Sequence, residues 1–122
     1  MTDEQRQNLR PTLNLAPATA PLERFQNETL RPIAKLQNDL LIATLNIFLA
    51  KRKVKMDQVA VKQRFDKVKE LVARDNRLRG LLFGIIIGQF TAAEMAFYGE
   101  WEGDINRRLT NLLTERLTES VR

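Results

Sequence analysis

The sequence contains no cysteine and no histidine. Without cysteine there can be no disulfide, no thiolate metal site and no thiol nucleophile, and redox compartment is not encoded. Without histidine, the commonest general base and the commonest transition-metal ligand are both missing. Any catalysis would rest on carboxylates, Lys, Tyr or Ser/Thr, and a protein-only metal site would be an oxygen site for Mg or Ca. The carboxylates Glu100, Glu102 and Asp104 lie close together but lack EF-hand spacing, so no metal and no cofactor is expected. The opening "MTDEQRQNLR" has no apolar core of a secretion signal, which makes a cytoplasmic location the expectation.

Long hydrophobic runs are also scarce. The longest uncharged stretch, Gly80 to Ala93, has fourteen residues and already includes Gln89 and Thr91. A bilayer-spanning helix needs about 20 apolar residues, so no membrane insertion is expected. Within that stretch, "GLLFGIIIGQF" (80–90) places Gly80, Gly84 and Gly88 four residues apart, along one ridge of a helix. Each glycine inside a helix costs about 1 kcal/mol relative to alanine. Close approach of another helix backbone would offset that cost, so the ridge is expected to pack within the core.

What is present is charge, unevenly spread. At 122 residues the chain has the length of one domain, with a net charge of +5. Residues 51–79 carry eleven Lys/Arg against four Asp/Glu, whereas residues 80–104 carry only four charges, all acidic. Such asymmetry bears on association more than on fold.

Three of the four prolines, Pro11, Pro17 and Pro21, fall in residues 1–24, where neither a helical nor a strand period survives. The expectation is an extended arm over 1–24, followed by a helical domain over 25–122. From about residue 28 the pattern turns helical, with Pro32 suited to a first turn. At 100° per residue, Leu30, Ile33, Leu36, Leu40, Leu41, Ile47 and Phe48 share one broad face, while Ile42, Leu45 and Leu49 spread to the other. A helix apolar nearly all round is buried nearly all round. "KRKVKMD" ends that helix, with cations at its carboxyl end. Asp57 is a candidate cap for a second helix striped by Val61, Phe65, Val68, Leu71 and Val72, and Asp75 for a third. "TAAE" (91–94) reads as a capping box with Phe90 and Met95 as its staple. Asp104 is a candidate cap for a last helix striped by Ile105, Leu109, Leu112, Leu113 and Leu117. No segment alternates with period two. The fold expected is all-α, a compact bundle of four to five helices with an extended N-terminal arm.

Three groups of residues are candidate sites. Trp101, set between Glu100 and Glu102, and its neighbour Tyr98 suit a protein-binding anchor, and Leu45 is a candidate for a subunit interface through the first long helix. Lys51, Arg52, Lys53 and Lys55 form a basic patch able to meet phosphates. No aromatic stacking platform accompanies it. Gln37, Asn38 and Gln89 are polar groups in apolar surroundings that either satisfy one another or line a small pocket.

The segments "RFQNETLRPIAKLQNDLLI" (24–42), "GIIIGQFTAAE" (84–94) and "NRRLTNLLTERL" (106–117) resemble a family of small, uncharacterised bacterial all-helical proteins with an N-terminal arm, some carrying a glyoxalase label. The resemblance implies a helical fold and, through that label, a small ligand. It supplies no catalytic residues to place here. The metal-dependent glyoxalases have a paired βαβββ fold and His/Glu/Gln ligands, and this chain has no histidine. The reading that follows is a non-enzymatic interaction or structural module, forming a homodimer through the nearly all-apolar first helix. The alternatives are a nucleic-acid binder through residues 51–79 and, more distantly, a small-ligand binder or enzyme.

Overall fold

The computed structural model describes residues 1–15 and 18–121, and every regular element among them is helical. The expected position of Pro17 in an extended arm lies outside the described residues. α1 (Asp3–Asn8) opens on a capping box, Thr2 Oγ1 accepting from the Gln5 N–H and Gln5 Oε1 from the Thr2 N–H. α2 (Pro21–Leu36) starts on Pro21, whose missing N–H costs nothing at a first helical position. Residues 1–24 are therefore not one extended arm: they hold a short capped helix and the first turn of α2.

Pro32, expected in a first turn, sits well inside α2. An α-helix cannot accept it there without losing a hydrogen bond and crowding the carbonyl four residues back. The backbone widens into a π turn over Gln26–Leu30, closed by the Arg31 N–H on the Gln26 carbonyl. Pro32 is buried beyond that turn.

The single long helix expected from residue 28 to about 50 is broken. Gln37 has φ −97° and ψ 12°, outside helical values, and α3 (Asn38–Lys51) leaves α2 at 66°. The polar run Gln37, Asn38, Asp39 marks the elbow. Bending lets each half turn its own apolar face to the core: Leu30, Ile33 and Ala34 from α2, and Leu41, Leu45, Phe48 and Leu49 from α3. No single helix is long and apolar enough to cross a membrane.

A 3₁₀ turn (Met56–Gln58) leads to α4 (Val61–Arg74), followed by α5 (Asn76–Ile87), α6 (Ala92–Glu100) and α7 (Glu102–Ser120). Asp57 belongs to the 3₁₀ turn and does not cap α4, which begins without a side-chain cap. The Arg64 guanidinium fixes that entry instead, donating to the carbonyls of Val59 and Val121. Asp75 caps α5 and Thr91–Glu94 forms the capping box of α6, as the sequence predicts. α7 starts ahead of Asp104, after a one-residue break at Trp101, and Asp104 pairs with Arg107.

α7 is the axis of the bundle. It packs on α2, α3, α4 and α6, most extensively on α4. Its predicted stripe, Ile105, Leu109, Leu112, Leu113 and Leu117, is buried throughout. Thr110, Thr114 and Thr118 run along it four residues apart, each hydroxyl donating to the carbonyl one turn back at 2.6–2.8 Å. That back-bonding satisfies hydroxyls at buried positions. α4 keeps less of its stripe inside: Val68 and Val72 are buried, but Val61 and Phe65 are exposed.

α3 ends in a Schellman motif built on lysine. The Val54 N–H reaches the Leu49 carbonyl at 2.9 Å and the Lys53 N–H the Ala50 carbonyl at 3.2 Å, with Lys53 at φ 56°. Glycine is the usual residue at this position. The left-handed conformation costs an L-residue roughly 1–2 kcal/mol, while glycine adds about 0.4–1 kcal/mol of unfolded-state entropy. Lys53→Gly is therefore expected to raise the melting temperature, by a gain of roughly 0.5–1 kcal/mol. An unchanged or lowered melting temperature would show that Lys53 makes native contacts worth more than its strain.

Candidate functional site

The sequence-predicted residues separate into distinct places. Leu45 is 0 % exposed, in the core among Leu41, Leu49 and Leu82. It is not an interface residue. The all-apolar circumference that suggested one is explained by the elbow, which buries this side of α3 inside the chain. Trp101 is 44 % exposed and stands 6.4 Å, centroid to centroid, from Phe97, which stacks on Phe25. Tyr98 is only half-buried, but its hydroxyl donates to Asn106 Oδ1 at 2.6 Å, and burial together with the nearby Glu102 charge outweighs Asn106 and Arg79 to hold its pKa above the ordinary value. Trp101 is thus presented outward, whereas Tyr98 is tied to α7.

The basic patch divides by residue type. Arg52 pairs with Asp75 and lies 4.7 Å from the Phe48 ring centroid. Arg79 covers Phe83 at 4.7 Å, and Arg77 approaches Phe48 at 5.8 Å. These arginines staple the bundle from outside. Lys51, Lys53 and Lys55 remain exposed, on the turn after α3.

Gln37, Asn38 and Gln89 do not share a site. Asn38 Oδ1 accepts from Arg116 at the elbow, at 3.1 Å. Gln89 lies beyond α5, where its carbonyl accepts from Arg10 at 2.7 Å and its buried side-chain oxygen makes no hydrogen bond. Gln37 is the bend itself.

Sequence reasoning missed Arg10. Its guanidinium grips both oxygens of Glu94 at 2.7 and 2.8 Å. Glu94 also accepts from the Thr29 hydroxyl in the π turn at 3.0 Å and from the Thr91 N–H at 2.8 Å. Asp3 Oδ2 accepts from the Ala92 N–H, so α1 docks on the same end of α6. Glu94 was visible only as half of a capping box; nothing in the spacing of residues 10, 29 and 94 links them. Burial pushes the Glu94 carboxyl up, but the Arg10 hydrogen bond, the Thr91 N–H, the Arg10 charge and the Thr29 hydroxyl together hold it below 4.5.

The glycine ridge corrects a second expectation. A Cβ at Gly80 or Gly84 would meet nothing within 4 Å, and both face outward. Among the described residues no helix backbone packs within 4 Å of those positions. Gly88 differs: its Cβ would lie 2.9 Å from the Gly84 carbonyl, at the end of α5. The large side chains between the glycines, Leu82, Phe83 and Ile86, are the ones that face the core.

Open glycines border an apolar seam. The Arg77–Phe48 contact sets the start of α5 beside the end of α3. At 100° per residue, Gly84 lies on the side of α5 away from the buried Leu82 and Ile86, and Leu40 and Ile47 on the side of α3 away from the buried Leu45. Leu40, Ile47 and Leu81 are 55 %, 53 % and 47 % exposed. Ala43 and Ala50 extend the outer face of α3, which begins at Asp39 and ends at Lys51. Apart from Asn46, the exposed residues of this face of α3 are apolar between Asp39 and Lys51. Among the described residues no cluster of three or more metal-ligating side chains occurs.

No family model matches the chain, and no curated protein or solved structure matches it.

The Glu94 lock makes a pH-dependent prediction. A carboxyl whose folded pKa is depressed contributes stability that is complete above the unfolded value and is lost as pH falls through the folded one. The contribution should therefore be intact at neutral pH, begin to fall only below the ordinary carboxylate value, and be lost as pH drops through the lowered folded one. Amide exchange at Arg10 and its neighbours should quicken over that range before the core opens. Glu94→Gln should destabilise the protein at neutral pH by about 1.5–3 kcal/mol, the range for hydrogen bonds to charged groups, and abolish the acid step. An acid step of unchanged size in Glu94→Gln would place its origin elsewhere.

Proposed function

We propose that this chain is a non-enzymatic, homodimer-forming module that pairs through the α3–α5 seam. The observation carrying this reading is the combination of two open glycines on α5 with three half-exposed aliphatic side chains, Leu81 on α5 and Leu40 and Ile47 on the neighbouring α3. Alanine at Gly80 or Gly84 would stabilise an isolated α5 by about 1 kcal/mol each, and no packing contact among the described residues offsets that loss. A second backbone on the ridge would. Apolar side chains projecting beside a small-residue ridge supply the burial such a contact needs.

A second copy fits the seam by charge. In an antiparallel two-fold pairing of α3 with its mate that sets Asp39 of each chain opposite Lys51 of the other, Leu40 faces Ala50 and Ala43 faces Ile47. A two-fold interface must complement itself, and this face does.

Sedimentation of the wild-type chain at micromolar concentration should give a dimer, and Ile47→Asp or Leu81→Asp a folded monomer. Asp39→Lys should weaken the dimer, and adding Lys51→Asp should restore it. Gly84→Ala should split two readouts, raising the stability of the monomeric Ile47→Asp background while weakening association of the wild type. A wild-type monomer, or a dimer indifferent to Ile47 and Leu81, would refute the seam.

A further inference from the structure

The elbow between α2 and α3 lines an open cavity of about 710 Å³ against the last turns of α7. Its walls are Arg31, Asn38, Ile42, Leu112 and Arg116, with Glu115, Glu119 and Ser120 on the α7 side. Two guanidiniums converge there. Neither forms an ion pair with a carboxylate among the described residues. Arg116 spends one N–H on Asn38 Oδ1, and its Nε is buried without a partner. Buried donors left unsatisfied are costly, and two like charges held together add to that cost.

We propose that this cavity binds a short-chain carboxylate, its head between Arg31 and Arg116 and its acyl chain over Ile42 and Leu112. Arginine presents planar forked donors that match a carboxylate, and the Asn38 amide NH₂ adds a third donor. The floor is apolar: Leu112 is buried and Ile42 half-buried. Glu115 on the α7 side disfavours polyanions, which separates a single carboxylate from a phosphate-rich ligand. The cavity is within the size range of small-molecule sites. Burial, and secondarily the Arg31 charge, lowers the Arg116 pKa, as expected of a guanidinium lacking an anion. Ile42 and Ile47 lie on different faces of α3, so occupancy does not depend on the α3–α5 seam.

The test is a titration of the full-length isotope-labelled protein with hexanoate, followed by amide shifts. Expected are saturable shifts at Arg31, Asn38, Ile42, Leu112 and Arg116. Hexanol, which lacks the charge, and inorganic phosphate, which lacks the chain, should each bind at least about tenfold more weakly. Arg116→Gln and Arg31→Gln should each weaken hexanoate by about tenfold or more. If Arg116→Gln does not fold, Arg31→Gln carries the comparison, because Arg31 makes no side-chain hydrogen bond among the described residues. The Ile47→Asp monomer should bind hexanoate as the wild type does, so failure of the seam leaves this result standing. Shifts absent or scattered away from the cavity, phosphate binding as tightly as hexanoate, or affinity unchanged in Arg31→Gln would each overturn the proposal.

Discussion

Burial of α7 is the constraint on which the remaining helices depend. A 19-residue helix with five large aliphatic side chains on one stripe must be covered, and removing that area from water is the main favourable term in folding. α4 covers one flank, and α2 and α3 the others. The threonine ladder widens the buried face without leaving a hydroxyl unsatisfied, because each hydroxyl bonds its own helix one turn back.

Covering α7 from two directions explains the elbow. A straight helix through residues 28–50 would present its second half's apolar side chains to solvent on whichever side α7 did not reach. Bending at Gln37 brings Leu41, Leu45 and Phe48 inward and leaves Leu40, Ala43 and Ile47 outside. The same bend creates the concavity that gathers Arg31, Asn38 and Arg116. One local departure from helical geometry therefore generates both the exposed apolar face of α3 and the open cavity at the elbow.

The π turn and the Arg10–Glu94 pair solve a related problem at the other end. Pro32 forces α2 to widen, and Thr29, in the widened turn, reaches Glu94. Glu94 already satisfies the start of α6, and its remaining valence is filled by Arg10. A charge-assisted fork between nearly buried groups is stronger than an exposed pair. It ties residues distant in sequence to one carboxylate, and with it the N-terminal segment to the bundle.

The sequence by itself determined the helical class, the caps at Asp75 and Thr91, and the stripe of α7. These depend on spacing within one or two turns, which hydrophobic period and capping chemistry report directly. It misplaced Leu45 and the glycine ridge, because a helical wheel shows which residues share a face but not whether that face meets the core. Asp57 and Asp104 had the right chemistry for caps, yet packing set the helix starts elsewhere. Only the tertiary structure decided the bend at Gln37, the convergence of Arg31 with Arg116, and the capture of Glu94 by Arg10. Each joins residues far apart in the chain, and their relative placement is settled by how the helices cover α7, a quantity no local pattern contains.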